Sequence, residues 1–417
     1  MIAQGIVPAG DKLVPIRTVA KELGVSTATV ADAWAILRAH GFISTDRRRG
    51  TTVRADPGHG RSRYWRVTME PGTLRLDLST GTPDPALLPR LEPILARVQT
   101  DLDVTSYLEP SIVPELEAVL RERWPYDPEA MMVVDGANDG LDRVARTLVR
   151  LGDVVVVEDP TYPLLLDQLE ALGAEVVGVP MDADGPNLAV VGTALARKPR
   201  AMFLQTGAHN PTGIAISPAR AAAIADLVRG SDVIVVEDHH PGIPGPRGDV
   251  TVGTSAPGQV VRIHSFSKTH GPDLRIAGMA GPADLLEEID RRRQLGPGWT
   301  SRLLQRVLLD MLSTPEVDDR VTEASLVYRE RRGALAAALD QHGLAVVDGA
   351  GLNLWVPVAH EHLTTVSLAA KGIGVAPGEP FRVVGPDGHV RVTSARLVDG
   401  AEEVAAAIAA AAAVPAG

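Results

Sequence analysis

Short, unbroken apolar runs separated by helical patterns constrain this chain more than any other feature. Residues 154–157, 201–204 and 233–236 are continuously apolar, and 260–263 is broken only by Arg262. Such runs suit strands buried on both faces, as in a mainly parallel sheet with helices on either side. Helical patterns at 164–172 and 219–228 fall between them. The alternation starts near residue 76. Residues of about 100–310 are expected to form a large α/β part. The last hundred residues, about 311–417, mix helix and strand and are expected to form a smaller α+β part, with an alanine-rich helix over 404–414. A chain of 417 residues exceeds one ordinary core, so two or three domains are expected. No internal repeat is present.

Composition narrows the functional classes. No apolar run is long enough to span a bilayer, and the N-terminus lacks a signal-peptide pattern. With no cysteine there is no disulfide, no thiolate metal site and no cysteine nucleophile. A cytoplasmic protein with no membrane partner is the default expectation. Charge is uneven. Residues 1–54 hold eight Lys/Arg against four Asp/Glu, or +4, which leaves −15 on the remainder of a chain whose net charge is −11. A small basic head on an acidic body points the head alone towards a polyanion.

The head reads as helix, turn, helix and hairpin. Ile16, Val19, Ala20 and Leu23 have helical spacing, ended by Gly24. Ser26 is a good N-cap for a second helix running to about His40, with Val30, Ala33, Trp34 and Leu37 on its inner face. Residues 42–44 and 51–53 suit two short strands joined through Arg47, Arg48, Arg49 and Gly50. Residues 55–75, turn-rich and polar at their start, are expected to be a linker between a 1–54 head and a 76–417 body.

The body carries a run of polar residues, most of them at expected strand ends. Lys268, one of only five lysines, lies in Ser265-Phe266-Ser267-Lys268-Thr269, with Arg275 seven residues on. Its amine can form a Schiff base with an aldehyde cofactor, while the hydroxyls and Arg275 can hold that cofactor's phosphate. Gly136-Ala137-Asn138 opens a helix whose free N–H groups suit a phosphate. Tyr162, after the 154–157 strand, can lie on an aromatic ring. Asn210, in His209-Asn210-Pro211-Thr212-Gly213, can hold a ring hydroxyl, and Asp238 can pair with a pyridinium nitrogen. Each has a structural alternative: a turn for Asn-Pro-Thr-Gly, a helix cap for Asp238, packing for Tyr162. Their order, at the carboxyl ends of strands, favours a ligand site.

On these motifs, about residues 76–417 resemble fold-type I pyridoxal phosphate proteins of the class I/II aminotransferase family. The resemblance implies that Lys268 carries the cofactor, Asp238 meets the ring nitrogen, Asn210 holds the ring hydroxyl and Tyr162 stacks on the ring. Ser265, Ser267, Arg275, Ala137 and Asn138 would take the phosphate. Tyr107 resembles the tyrosine that the family lends to the neighbouring subunit, which implies a homodimer. Arg391 lies where the family anchors a substrate carboxylate. Two departures are His240, where a tyrosine is usual, and Ala137, where a hydroxyl is common; His240 could donate to the ring hydroxyl in the tyrosine's place.

The head resembles the GntR-type winged helix. That implies a double-stranded DNA operator met by Arg17, Ser26, Thr27 and Thr29 around the second helix and by the Arg47–Arg49 tip and Gly50 in the wing. The family has a full helix earlier, whereas this chain begins at Ile2-Ala3-Gln4-Gly5, its last turn. That implies a misassigned start or a reduced winged helix. The whole resembles the MocR subfamily of transcription regulators, which implies sensing of an amine or amino acid through external aldimine formation. The alternative is a working aminotransferase with a vestigial head.

Overall fold

The computed structural model describes residues 11–39, 43–46, 50–53, 62–67, 74–98, 110–240, 248–384 and 388–413. They fall into two compact units, Met1–Ser62 and Arg63–Gly417.

In the smaller unit the helix Ile16–Leu23 stops at Gly24, whose left-handed backbone (φ 67°) returns its N–H to the Ala20 carbonyl. Ser26 Oγ accepts the Thr29 N–H at 3.0 Å and caps the helix Thr27–Ala39. Ala20, Val30, Ile43 and Val53 are buried. Strands Ile43–Asp46 and Gly50–Val53 pair antiparallel. A third segment was not anticipated. The Val53 N–H donates to Asp11 O and the Leu13 N–H to Thr51 O, both at 2.8 Å, with Lys12 bridged to Thr52. Three residues are too few to show the alternation by which a strand is read from sequence. Residues 1–10 and the Arg47, Arg48 and Arg49 tip lie outside the described residues.

The larger unit is built on an eight-stranded sheet. Its order is Ala130–Val134, Ala277–Gly281, Val260–Ser265, Ile234–His239, Ala201–Leu204, Val154–Asp159, Glu175–Asp182 and Gly185–Pro186. Adjacent strands from Val260–Ser265 to Glu175–Asp182 run parallel; Ala277–Gly281 and Gly185–Pro186 run antiparallel to their neighbours. Val155, Val157, Ala201, Phe203 and Ile263 are buried against the helices Ala137–Leu148 and Pro163–Ala171. Val156, Met202, Val235 and Val260 are buried against Leu188–Leu195 and Pro218–Val228 on the other face. Both faces are therefore covered, which is why the strand sequences do not alternate.

The smaller part packs the helices Pro315–Gln341 and Ala401–Ala412 on a three-stranded sheet, with Leu335, Leu339, Val356, Val390 and Ile408 in its core. It is not confined to residues after 311. Leu76–Asp77 pairs parallel with Ile373–Gly374, and Leu78 is fully buried in the same core. The expected linker also changes character, because residues 63–67 form a helix of the larger unit. Asp167 accepts the Arg63 and Tyr64 N–H groups at 3.1 and 3.3 Å, and Val67 is buried beside Trp355 and Phe381. Those partners lie about 100 to 300 residues away and leave no local signal.

Arg262 interrupts its apolar strand because it is fully buried against an equally buried Glu237, at 3.2 Å, and also pairs with Asp249. Thr251 Oγ1 and the Val252 N–H complete the Glu237 carboxylate at 2.6 and 2.7 Å. Among the described residues, no helix is long and apolar enough to cross a membrane.

Candidate functional site

Five parallel strands, Ala130–Val134, Val154–Asp159, Ala201–Leu204, Ile234–His239 and Val260–Ser265, end at one open cleft of about 1000 Å³. Ten residues singled out from sequence line it: Ala137, Asn138, Tyr162, Asn210, Asp238, His240, Ser265, Ser267, Lys268 and Arg275. This is the region where open α/β sheets place ligands.

At one end, Gly136 adopts φ 91° and opens the helix Ala137–Leu148. The Arg275 guanidinium lies over it: a Cβ at Gly136 would stand 3.5 Å from Arg275 Cζ. Arg275 itself has φ 50° and donates to Asp135 O at 3.3 Å. The first N–H groups of a helix have no partner within it, so a cation, N–H groups and the Ser265 and Ser267 hydroxyls all line this cleft.

At the centre, Lys268 Nζ donates to Gly81 O at 2.8 Å. Burial and the charge of Arg391 push its pKa down to about 8, against the opposing pull of Asp238. Asp238 Oδ2 accepts from Gln205 Nε2 at 2.7 Å and lies 3.5 Å from His240 Nε2. Asp238 Oδ1 is buried without a hydrogen-bond partner among the described residues. Burial alone would raise this carboxyl. The charge and hydrogen bond of His240, the Gln205 hydrogen bond and the Lys268 charge outweigh it and hold the group below its usual range. His240 thus turns one ring nitrogen towards Asp238, while its Nδ1 is buried with no partner among the described residues.

Gln205 was not singled out from the sequence. Its Oε1 accepts the Asn210 N–H at 2.7 Å, its Nε2 holds Asp238, and its own N–H donates to Glu158 at 2.8 Å. One carboxamide therefore couples the Asn210 turn to the Asp238 carboxylate. The only available signal was its place one residue past the 201–204 run. Asn210 Oδ1 accepts from Arg391 at 3.1 Å and Asn353 at 3.5 Å, which leaves its amide nitrogen as the donor for the cleft. Tyr162 Oη accepts from Asn138 Nδ2 at 3.4 Å, and burial raises its pKa.

Arg391 is not among the residues that line the cleft. It is 3% exposed and stands one layer behind the cleft wall, donating to Ser79 O and Asn210 and lying 5.0 Å from the Phe381 ring centre. A Cβ at Gly81 would meet its guanidinium at 3.1 Å, so a side chain at that position would press on it. A carboxylate would have to compete with the Ser79 and Asn210 contacts. Tyr107 lies outside the described residues. In the head, Arg17, Ser26, Thr27, Thr29 and Gly50 are all exposed, with the Ser26 and Thr29 hydroxyls 2.9 Å apart.

Beside the cleft, His239, His264 and His270 form a buried ring series with Phe266 between the last two. Burial lowers all three pKa values, that of His270 to about 4, helped at His239 and His264 by Arg262. An unfolded histidine takes up its proton near pH 6.5, but these resist it in the fold. Stability is therefore full above about pH 6.5 and lost as pH falls towards 4. Urea midpoints measured across that window should fall steadily with pH; a flat profile would contradict the neutral assignment.

Residues 75–408 match the aminotransferase class I and II family, and residues 1–53 match the bacterial regulatory proteins of the gntR family. The vitamin B6 salvage pathway transcriptional repressor PtsJ of Salmonella typhimurium is 34% identical over 95% of this chain and 92% of its own length. The chain belongs to the MocR subfamily of gntR-type regulators. Another relative, the probable rhizopine catabolism regulatory protein MocR of Rhizobium meliloti, is 27% identical over 82% of this chain and 75% of its own. The MocR-type body also shares its fold with the α-aminoadipate aminotransferase LysN of Thermus thermophilus, at a TM-score of 0.74 and 22% identity over 84% of this chain and 96% of that one. A MocR-type chain thus joins a DNA-binding head to a body built for a small ligand.

Proposed function

We propose that this chain is a pyridoxal 5'-phosphate-dependent transcription regulator whose body reads a small amine or amino acid and alters operator binding by the head. The observation that carries the reading is one cleft holding both a lysine amine with a pKa near 8 and a buried carboxylate with an unpartnered oxygen. The residues fit the cofactor. Asp238 Oδ1 lacks the donor that a protonated ring nitrogen supplies, and the Arg275 guanidinium, packed over Gly136 where the helix Ala137–Leu148 begins, supplies a cation beside free N–H groups for a phosphate. When bound, the cofactor supplies a carbonyl that condenses with primary amines and a ring that withdraws electron density.

The side chains then divide the work. Lys268, its proton held less tightly than that of an ordinary lysine, has a larger neutral fraction near physiological pH and can return a proton once released. Asp238 stays ionised and keeps a ring nitrogen protonated. Asn210 donates to a ring oxygen, and Ser265, Ser267, Arg275 and the Ala137 and Asn138 N–H groups hold the phosphate. Arg391, whose Nε is buried and unpartnered, is the anchor for a ligand carboxylate. Gln205→Leu should weaken cofactor retention about tenfold, the scale of one hydrogen bond to a buried charge, as read by absorbance titration. An unchanged titration would remove Gln205 from the site.

We further place the chain in the cytoplasm as a homodimer presenting two heads to a two-fold operator. Leu91, Leu95 and Leu303, exposed on two adjoining helices, offer an apolar patch for a second copy. Gel shifts with operator DNA, with and without cofactor and candidate amines, test the reading; indifference of operator binding to both would discard it. The PtsJ relative supports a second reading, in which the cofactor itself is the signal. In that case cofactor alone would move the shift and amines would add nothing. Turnover of amino donors with 2-oxo acids would instead favour a working aminotransferase.

A further inference from the structure

Tyr64 lines the cleft, yet it belongs neither to the strand ends nor to any motif of the body. It stands on the helix Arg63–Val67, which starts where the larger unit starts, immediately after the head unit ends at Ser62. Its ring meets Tyr162 edge-on, with centroids 6.5 Å apart, and remains 37% exposed. Four acidic contacts clasp the helix to the body. Asp167 takes the Arg63 and Tyr64 N–H groups, Glu170 pairs with Arg63, and Glu379 pairs with Arg66 at 2.8 Å. Val67 anchors its end in the Trp355 and Phe381 cluster.

The remaining wall bears on what Tyr64 faces. Ala208, Pro272 and Leu352 are apolar residues of the same lining. Among the described lining residues the basic side chains are Lys268, Arg275 and His240, the first two assigned above to the cofactor and the third turned towards Asp238. Arg391, behind Gly81, is one further cation, enough for one carboxylate. Nothing described is left for a second carboxylate on a ligand side chain.

Resting on the cofactor-and-amine reading above, we propose that Tyr64 is the specificity-determining wall of the cleft. It selects amino acids with one carboxylate and an apolar or aromatic side chain. Because the same five-residue helix continues into the chain leading to the head, its clasp on Asp167 is the element through which occupancy reaches the head. A ligand side chain packed on Tyr64 bears directly on the first turn of the helix, which is held by surface ion pairs and two N–H contacts while Val67 pins the far end, and that first turn is attached weakly enough to be biased by a small ligand.

The test uses the full-length chain loaded with pyridoxal phosphate. Phenylalanine, leucine and glutamate are titrated by absorbance, and operator binding is followed by gel shift. The wild type should respond to phenylalanine and leucine at lower concentration than to glutamate. Tyr64→Ala should weaken phenylalanine and leucine about tenfold and leave glutamate nearly unmoved, with Tyr64→Phe close to wild type. Asp167→Asn, away from the cleft, should still titrate with phenylalanine while its gel shift no longer depends on it. Equal titrations for wild type and Tyr64→Ala would overturn the wall. A ligand-dependent shift surviving in Asp167→Asn would overturn the coupling. If the wild type gives no spectral change with any amine, the underlying reading fails instead, which is a separate result.

Discussion

Alanine in place of Lys268 should abolish the visible absorbance of the purified chain, weaken cofactor retention about a hundredfold (near 3 kcal/mol), and erase any amine-dependent change in operator binding. The size follows from losing the one amine that can bond to an aldehyde, while the phosphate cradle at Gly136 and Arg275 is kept. The fold should survive. The hydrogen bond of Lys268 is to the Gly81 carbonyl, which faces the cleft and can turn to water. A melting temperature within a few degrees of wild type is the control. A variant that stayed coloured and responsive would place the chemistry on another amine.

Arg262→Ala should produce the largest loss of stability of any change considered, about 3–5 kcal/mol. Arg262 and Glu237 are both fully buried, and burial raises the Glu237 pKa against the lowering effects of Arg262, Thr251 and the Val252 N–H. Removing the guanidinium leaves a charge that must either be protonated or stay unpaired in the sheet. Whole domains hold only about 5–15 kcal/mol, so this one side chain supports a large share. The double variant Arg262→Met, Glu237→Gln should recover part of the loss, since it removes both charges together. Urea unfolding at neutral pH reads both. A cost below about 1 kcal/mol, the scale of an exposed pair, would contradict the buried assignment.

What could be read in the sequence was whatever repeats or clusters locally. The 154–157, 201–204, 233–236 and 260–263 runs became adjacent parallel strands because burial on both faces shows directly as unbroken apolar sequence. The order of Asn138, Tyr162, Asn210, Asp238 and Lys268 was legible because each lies at or just past the end of its own strand, so a one-dimensional list maps onto one end of the sheet. What remained hidden depends on distant partners. The Arg63–Val67 helix has too few residues to show a period and is stabilised by Asp167 and Glu379. The Leu76–Asp77 strand is two residues long and acquires meaning only beside Ile373. Gln205 looks like an ordinary polar residue until the turn at Asn210 folds back onto it. Arg391 could be placed near a carboxylate by resemblance, but its retreat behind Gly81 is a matter of layering, which no spacing encodes. Arg262 was visible as an interruption, and its cause was not, because Glu237 comes beside it only when two strands distant in sequence pair.

The central claim is that the aldehyde cofactor joins this chain at one amine. Borohydride reduction of the cofactor-loaded protein followed by peptide mapping tests it directly, since only five lysines are present. The account predicts that the peptide containing Lys268, and no other lysine peptide, gains the mass of the reduced cofactor. An unmodified Lys268 peptide, or label spread over Lys12, Lys21, Lys198 and Lys371, would contradict it.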